Sequence, residues 1–419
     1  MEVSISGQPA RRGSTRATIV VLAFLLAVAA AAALPVAAVA GGVGKWTGLT
    51  GPTGTNLTQV GLVKTPDGLL HVAWTGASAT TGQDDLLHRV IKASGSFGTK
   101  QKVETGWSAI NDPAILHDPI FGDLGIVFSG IRSASTGDPY QRMTMTTSSN
   151  SGSTWSIFPS VIDPPSSQSW ASPVAAAYLG STLFTTWYGS SGVWVHRGTV
   201  SDVPAYDYQS GLGSFGYYSN LGLEKAGALW LVWASNATGH AGVYAQLVDQ
   251  TSGAPGGPRY KLPYSTTKWS GAQHFSMMMS RVPVTGRSKG SGVFVAYPTG
   301  YPSTKKVRLW KITAAKRTTM VVAGGTATKD QTAVAAGPDG RVWVVWSQRA
   351  SGRWKIVVRR SNATVTKFGP TKAYSLPSGY RVVWHLAAAV RNGKLDVLAH
   401  AGGGSKANAT LHIQVRAPK

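Results

Sequence analysis

One short pattern recurs along this chain and restricts the folds open to it. A turn, usually carrying glycine, leads into a short apolar strand that ends in an aromatic side chain six or seven residues on. The pairs are Gly68 and Trp74, Gly122 and Phe128, Gly180 and Trp187, Gly227 and Trp233, Ser291 and Tyr297, and Gly340 and Trp346; Gly393 and Ala399 end the series. A repeat of roughly 50 residues, too small to bury its apolar face alone, must stack on its neighbours, and seven such units read as a radial propeller with one four-stranded blade each. The expected fold class is therefore all-β, a seven-bladed β-propeller, with a six-bladed ring as the alternative. Two packed β-sandwich domains give no reason for a shared period.

The flanks of the pattern agree. Apolar runs at 60–63, 113–116, 173–177, 277–279, 332–335 and 386–390 precede the turns and read as the innermost strands, where small side chains suit crowding at an axis. The last unit stops after the run 411–415, one strand short. Residues 43–49 read as that missing outer strand, so the N-terminus is expected to close the last blade and hide two strand edges. Fifty glycines, 15 tryptophans and only 14% charged residues fit short strands joined by tight turns. No cysteine is present, which excludes disulfides and thiolate metal sites.

The first 40 residues read as a targeting segment. Arg11, Arg12 and Arg16 precede an uncharged stretch from Ala17 to Gly44, and Ala38-Val39-Ala40 forms a small-x-small cleavage site. The expected organisation is a bacterial-type signal peptide at 1–40 and a single propeller domain at 41–419, secreted to the cell exterior. An uncleaved membrane anchor is the alternative, since the apolar stretch is long enough to span a bilayer.

In the second unit the run Ser148-Ser149-Asn150-Ser151-Gly152-Ser153-Thr154-Trp155 resembles the Asp-box of the sialidase-like (BNR-repeat) propellers, Ser-x-Asp-x-Gly-x-Thr-Trp, with Asn150 in place of the aspartate. It lies between a third and a fourth strand. There an Asx side chain bonds its own backbone and glycine supplies a positive φ. The resemblance covers eight residues and implies the fold; the six-bladed alternative is the sialidase-like ring. It also implies a family chemistry of three arginines, a tyrosine nucleophile with its glutamate, and an aspartic acid-base, for which no residue can be carried over. Outside the first 40 residues the only glutamates are Glu104, in an expected outer strand, and Glu224, in a turn between inner strands. The two-carboxylate glycosidase plan fits poorly: Asp112 and Asp330 are its best acid pair, and the preferred reading of both is as turn caps.

No catalytic residue is assigned, and no metal or cofactor is implied, because the nine histidines form no ligand motif. Propeller ligands usually meet the loops that lead into the inner strands. Those loops carry Asn111, Asp112, Trp170, Tyr218, His274, Asp330 and His385, about one polar or aromatic group per blade, expected to line a shallow funnel.

The partner signal is charge, and it is lopsided. Of a formal net charge of +23, residues 41–254 hold 10 Lys/Arg and 13 Asp/Glu, whereas residues 255–419 hold 27 Lys/Arg and 3 Asp/Glu. Strand alternation places Lys306, Arg308 and Trp310 on one face, with Lys311 following, and Arg353, Lys355 and Arg359 on another. Cations interleaved with tryptophan can hold a polyanion, with the ring free for a sugar or a lipid interface. The expected partner is an acidic glycan or an anionic envelope polymer, with an anionic membrane surface also open. Nucleic acid ranks last, because no nucleic-acid-binding motif is present. The expected function is non-catalytic recognition; a diverged exo-sialidase-like glycoside hydrolase is the alternative.

Overall fold

The computed structural model describes residues 42–53, 58–132, 142–156, 160–162, 174–189, 192–199, 205–213, 216–265, 281–282, 284–299 and 304–417. Every regular element among them is a strand, and every pairing is antiparallel. Each glycine turn of the repeat joins an innermost strand to the aromatic-ending strand beside it. Gly68, Gly122, Gly227, Gly340 and Gly393 all sit at φ between +69° and +94°, where a side chain would be strained.

The first strand, β1 (Thr47–Gly48), belongs to the last sheet. A seven-stranded sheet follows: β2 (Gly61–Lys64), β3 (Leu70–Ala77), β4 (Asp84–Ile91), β5 (Gln101–His117), β6 (Leu124–Arg132), β7 (Arg142–Ser148) and β8 (Ser160–Val161). Four-stranded sheets come next: β9 (Ala175–Leu179) to β12 (Tyr206–Asp207) through β10 (Thr182–Tyr188) and β11 (Val193–Arg197); then β13 (Gly216–Leu223), β14 (Leu229–Ser235), β15 (Gly242–Val248) and β16 (Pro255–Lys261). The fourth sheet holds β17 (Val284–Gly286), β18 (Val293–Thr299), β19 (Lys306–Ile312) and β20 (Arg317–Ala323). The fifth holds β21 (Thr328–Ala336), β22 (Val342–Ala350), β23 (Arg353–Arg360) and β24 (Lys372–Ser375). The last is β25 (Val382–Arg391), β26 (Lys394–Gly402) and β27 (Ala409–Arg416), with β1 on its outer edge.

Sequence reasoning separates the outer strand of the first unit from the inner strand of the second. The structure instead runs them together as the 17-residue β5. Its register shifts between Trp107 and Ala109 and again between Asn111 and Ala114, and such bulges bend a strand sharply. The sheet consequently packs on itself: Ala73 and Leu86 from its first half meet Trp107, Ile115 and Phe128 from its second.

The repeated aromatics explain the packing. Trp74, Trp187, Trp233, Tyr297 and Trp346 are all buried in clusters shared by successive sheets, and Phe128 is buried in the cluster within the seven-stranded sheet. The innermost strands β2, β5 (its second half), β9, β13, β17, β21 and β25 touch in that order, and β25 also touches β2.

The N-terminal segment is tied to the last sheet along its length. Thr47 pairs with His412 and Gly48 with Leu411, while the Gly44 amide donates to the Gln414 carbonyl at 2.9 Å and the Leu49 amide to that of Thr410 at 2.9 Å. Leu49 is fully buried and packs with Leu70 and Val72 of the first sheet and Leu398 of the last. Leu49→Ala is accordingly expected to cost about 2–5 kcal/mol of stability. Trp46→Gly should cost less, since its half-buried ring contributes one indole bond to the Ser375 carbonyl at 2.8 Å. Urea denaturation of both variants checks the order; equal, negligible losses would contradict the packing role of this segment.

Candidate functional site

Seven innermost strands among the described residues line a cavity of about 230 Å³. Small and aliphatic residues such as Ala114, Ala176 and Ala333 make most of its wall, and the polar side chains on it are Gln59, Asn220 and Arg281. Crowding explains the small residues: Gly61 has the Pro113 carbonyl 2.7 Å from where a Cβ would stand.

Arg281 dominates this space. It precedes β17 and is buried. Its Nε donates to the Val174 carbonyl and its terminal nitrogen to the Asp112 carbonyl, and its own amide donates to Gln59 Oε1 at 2.7 Å. The Gln59 amide donates in turn to Asp112 Oδ1 at 2.8 Å. The guanidinium thus links the bulge of β5 and the residue ahead of β9 to its own sheet, and the Arg281 backbone amide adds the segment ahead of β2. Burial pulls its pKa down to about 10, opposed by the Asp112 carboxylate, so it is charged at neutral pH.

The funnel residues read from the sequence have a shared local cause. β5, β13, β21 and β25 each shift register near the start of the inner strand: between Asn111 and Ala114, Tyr217 and Asn220, Lys329 and Thr332, and Val383 and His385. Asn111, Asp112, Tyr218, Asp330 and His385 therefore lie at or beside four equivalent bulges, which re-aim side chains at a sheet's end. Asp112 and Tyr218 take positive φ, 46° and 55°, costly for non-glycine residues and held by the surrounding structure. Trp170 and His274 lie outside the described residues. Sequence reasoning missed Gln59 and Arg281, which occupy the corresponding places before β2 and β17. Their signal is positional: one polar residue just ahead of each inner strand.

Burial governs titration here. The Asp330 carboxyl is pushed up to about 7 by desolvation, partly offset by its bond to the Gln331 backbone. The Tyr297 hydroxyl is also raised, first by burial and then by Tyr218 and Asp330, which makes the three electrostatic neighbours. His400, tilted 6.0 Å from His385 between ring centroids, is held down to about 3, by burial and then by His385.

Two of the cationic-face expectations need correction. Trp310 is fully buried between sheets and its indole donates to the Pro263 carbonyl at 2.8 Å, so its ring is not available to a ligand. Arg359 is half-buried and occupied: its guanidinium donates to the carbonyls of Gly369 at 2.8 Å, Phe368 at 3.1 Å and Val322. Alternation around these positions points into the gap between sheets, where arginine stems cover apolar surface. Arg308 is intermediate, its guanidinium lying 4.3 Å from the centroid of the exposed Tyr264 ring. Lys311 is half-buried, and its pKa is lowered by desolvation and then by Arg287 and Lys316. Lys306 and Arg353 are exposed, and Lys355 is half-buried.

The Asp-box run folds as its pattern requires. Asn150 Oδ1 accepts from the Thr154 amide at 2.8 Å and its Nδ2 donates to Thr154 Oγ1 at 2.8 Å, with Gly152 at φ +79°. The turn packs on the preceding strands, since Trp155 meets His88 edge-on at 5.2 Å. A second turn makes the same bonds: Asn362 Oδ1 accepts from the Thr366 amide at 2.9 Å and Nδ2 donates to Thr366 Oγ1 at 2.9 Å. Asn-x-x-x-Thr is its signal, hidden in the sequence by the absence of glycine and tryptophan.

No protein-family model and no curated protein sequence matches the chain. Solved structures do. They include the NanB sialidase of Streptococcus pneumoniae, at 10% identity over 88% of this chain and 70% of that one, TM-score 0.47. The GH93 α-L-arabinofuranosidase of Fusarium graminearum matches at 12% identity over 88% and 97% of the two chains, TM-score 0.43. A prolyl endopeptidase matches at 13% identity and TM-score 0.51, over 86% of this chain and 48% of that one. At a TM-score of 0.51 the last of these is a likeness in fold. Identities this low speak to fold alone, and the chemistry of the site rests on its own residues.

The raised Asp330 carboxyl gives a pH test. Between its unfolded value near 4 and its folded value of about 7 the folded state binds the extra proton, so stability from this group is lost as pH rises through that window. Asp330→Asn should therefore gain in melting temperature relative to the parent as pH goes from 5 to 8. A difference independent of pH would contradict the buried, protonated carboxyl.

Proposed function

We propose that the protein is a secreted, seven-bladed, sialidase-like β-propeller of residues 41–419 that recognises an acidic glycan or another anionic polymer of the cell envelope without transforming it. Residues 1–40 serve as its export signal, and residues 43–49 complete the last blade. Support for seven blades comes from the cyclic order of the inner strands and from β5, which serves as the outer strand of one blade and the inner strand of the next.

One observation carries the recognition reading. The basic half has three acids, of which two are paired with cations and the third, Asp330, is buried. Asp396 is buried, holding Arg391 at 3.0 Å and His412 at 2.8 Å; Asp339 pairs with Arg341 at 3.3 Å and with Arg360; Asp330 is buried near the cavity. The remaining cations of the last three sheets have no carboxylate of that half to neutralise them. Such a surplus projects a one-sided field that reaches roughly 8 Å at physiological salt, enough to steer and hold a polymer of opposite charge.

A glycoside hydrolase is the second reading, favoured by Asp330 alone. A carboxyl that keeps its proton near neutral pH can protonate a leaving group. Hydrolysis of fluorogenic sialosides or arabinosides that disappears in Asp330→Asn would establish it, and an inert parent protein would remove it.

The recognition reading makes a quantitative demand. Affinity for a soluble polyanion should fall log-linearly as salt rises from roughly 50 to 300 mM, because each neutralised anionic group releases a condensed counterion. Titration at four salt concentrations checks this. Binding indifferent to salt would contradict it.

A further inference from the structure

A second, larger space lies away from the central cavity. It is a groove of about 890 Å³ between the sheets of β21–β24 and β25–β27. Three segments form it: the β22–β23 hairpin, the connection from β24 to β25, and the β26–β27 hairpin. Arg349, Arg353 and Arg381 stand on it with Trp354 and Tyr380. Arg349 and Trp354 are direct cross-strand partners, so their side chains share one face of the hairpin. The three arginines are exposed, the two rings are half-buried, and residues 340–395 contain no aspartate or glutamate.

The groove is held in shape by backbone. The Arg381 amide donates to the Gly402 carbonyl at 2.8 Å and the Lys406 amide to the Gly379 carbonyl at 3.2 Å. Gly379 and Gly403 sit at φ +92° and +68°, and a Cβ on Gly404 would fall 2.1 Å from the Gly379 carbonyl. The two loops are thus packed at a distance only glycine permits. The Lys406 ammonium lies 5.4 Å from the centre of the Tyr380 ring and brings a fourth cation to this edge.

We propose that this groove binds a carboxylate-bearing saccharide, an inference that rests on the anionic-polymer reading above and names its site. Guanidinium groups match carboxylates two bonds at a time, in a fixed fork geometry. A half-buried indole and phenol offer flat apolar faces to the C–H face of a sugar ring, a contact that an inorganic anion has no atoms to make. Cations without local acids set the sign of the ligand; aromatic faces among them set its class.

The test uses calorimetric titration of the protein at low salt with polygalacturonate, its fully methyl-esterified form, and polyphosphate. Polygalacturonate should bind and the neutral ester should not. Arg353→Ala combined with Arg381→Ala should weaken polygalacturonate binding more than tenfold, and Arg349→Ala alone by several-fold. Trp354→Ala should weaken polygalacturonate several-fold while leaving polyphosphate unchanged. The arginines are exposed, and thermal melts matching the parent confirm that these variants fold. If polyphosphate binds as tightly through the same arginines and Trp354→Ala alters nothing, the saccharide assignment is overturned. If Lys306→Ala with Lys311→Ala removes binding and the arginine pair does not, the groove is overturned and the anionic-polymer reading stands. If no polyanion binds the parent protein, both fall.

Discussion

The pairing of the N-terminal segment with β27 is the constraint on which the remaining structure depends. Backbone bonds run from the amides of Gly44, Leu49 and Thr53 to the carbonyls of Gln414, Thr410 and Asn408, at 2.8–2.9 Å. Two chain ends far apart in sequence are thereby held in one sheet, and β25 is set beside β2. The cavity is lined from both sides of that contact, by Val60 and Leu62 and by Leu386 and Ala388. Arg281 bonds across it, to Gln59 ahead of β2, Asp112 within β5 and Val174 ahead of β9.

Arg281 also shows how such a centre tolerates charge. A buried guanidinium is costly unless its donors are matched, and its partners here are mostly backbone carbonyls at the ends of other inner strands. The carbonyls are free because bulges and strand starts leave gaps in the ladders. The bulges that aim Asp112, Tyr218 and Asp330 therefore belong to the same arrangement that accommodates the arginine.

Much of the fold was legible in the sequence for one reason: the repeat is a packing repeat. An aromatic at the end of the second strand fills the inter-sheet clusters, so Trp74, Trp233 and Trp346 report the architecture directly. The N-terminal strand was legible from the missing outer strand of the last unit. The continuity of β5 was not, because the bulges that carry the strand from its outer to its inner half follow from pairing with β6 and not from the local sequence. Of the site, the bulge residues were legible as polar groups ahead of apolar runs. Arg281 was not, because nothing local separates it from the other cations of its half. The charge surplus was visible, but which cations are occupied is a matter of three-dimensional neighbours. Arg359 and Trp310 look like ligand groups in a strand and are packing groups in the structure.

The central claim is that recognition occurs on the cationic rim between the last two sheets, with the inner cavity as a structural hub. Hydrogen exchange with and without a polygalacturonate oligosaccharide distinguishes the two places residue by residue. The account expects added protection in the amides around 349–354, 378–382 and 402–406, and no change around 58–60, 111–114 and 330–332. Protection confined to the second set, at the entries of the inner strands, would contradict it.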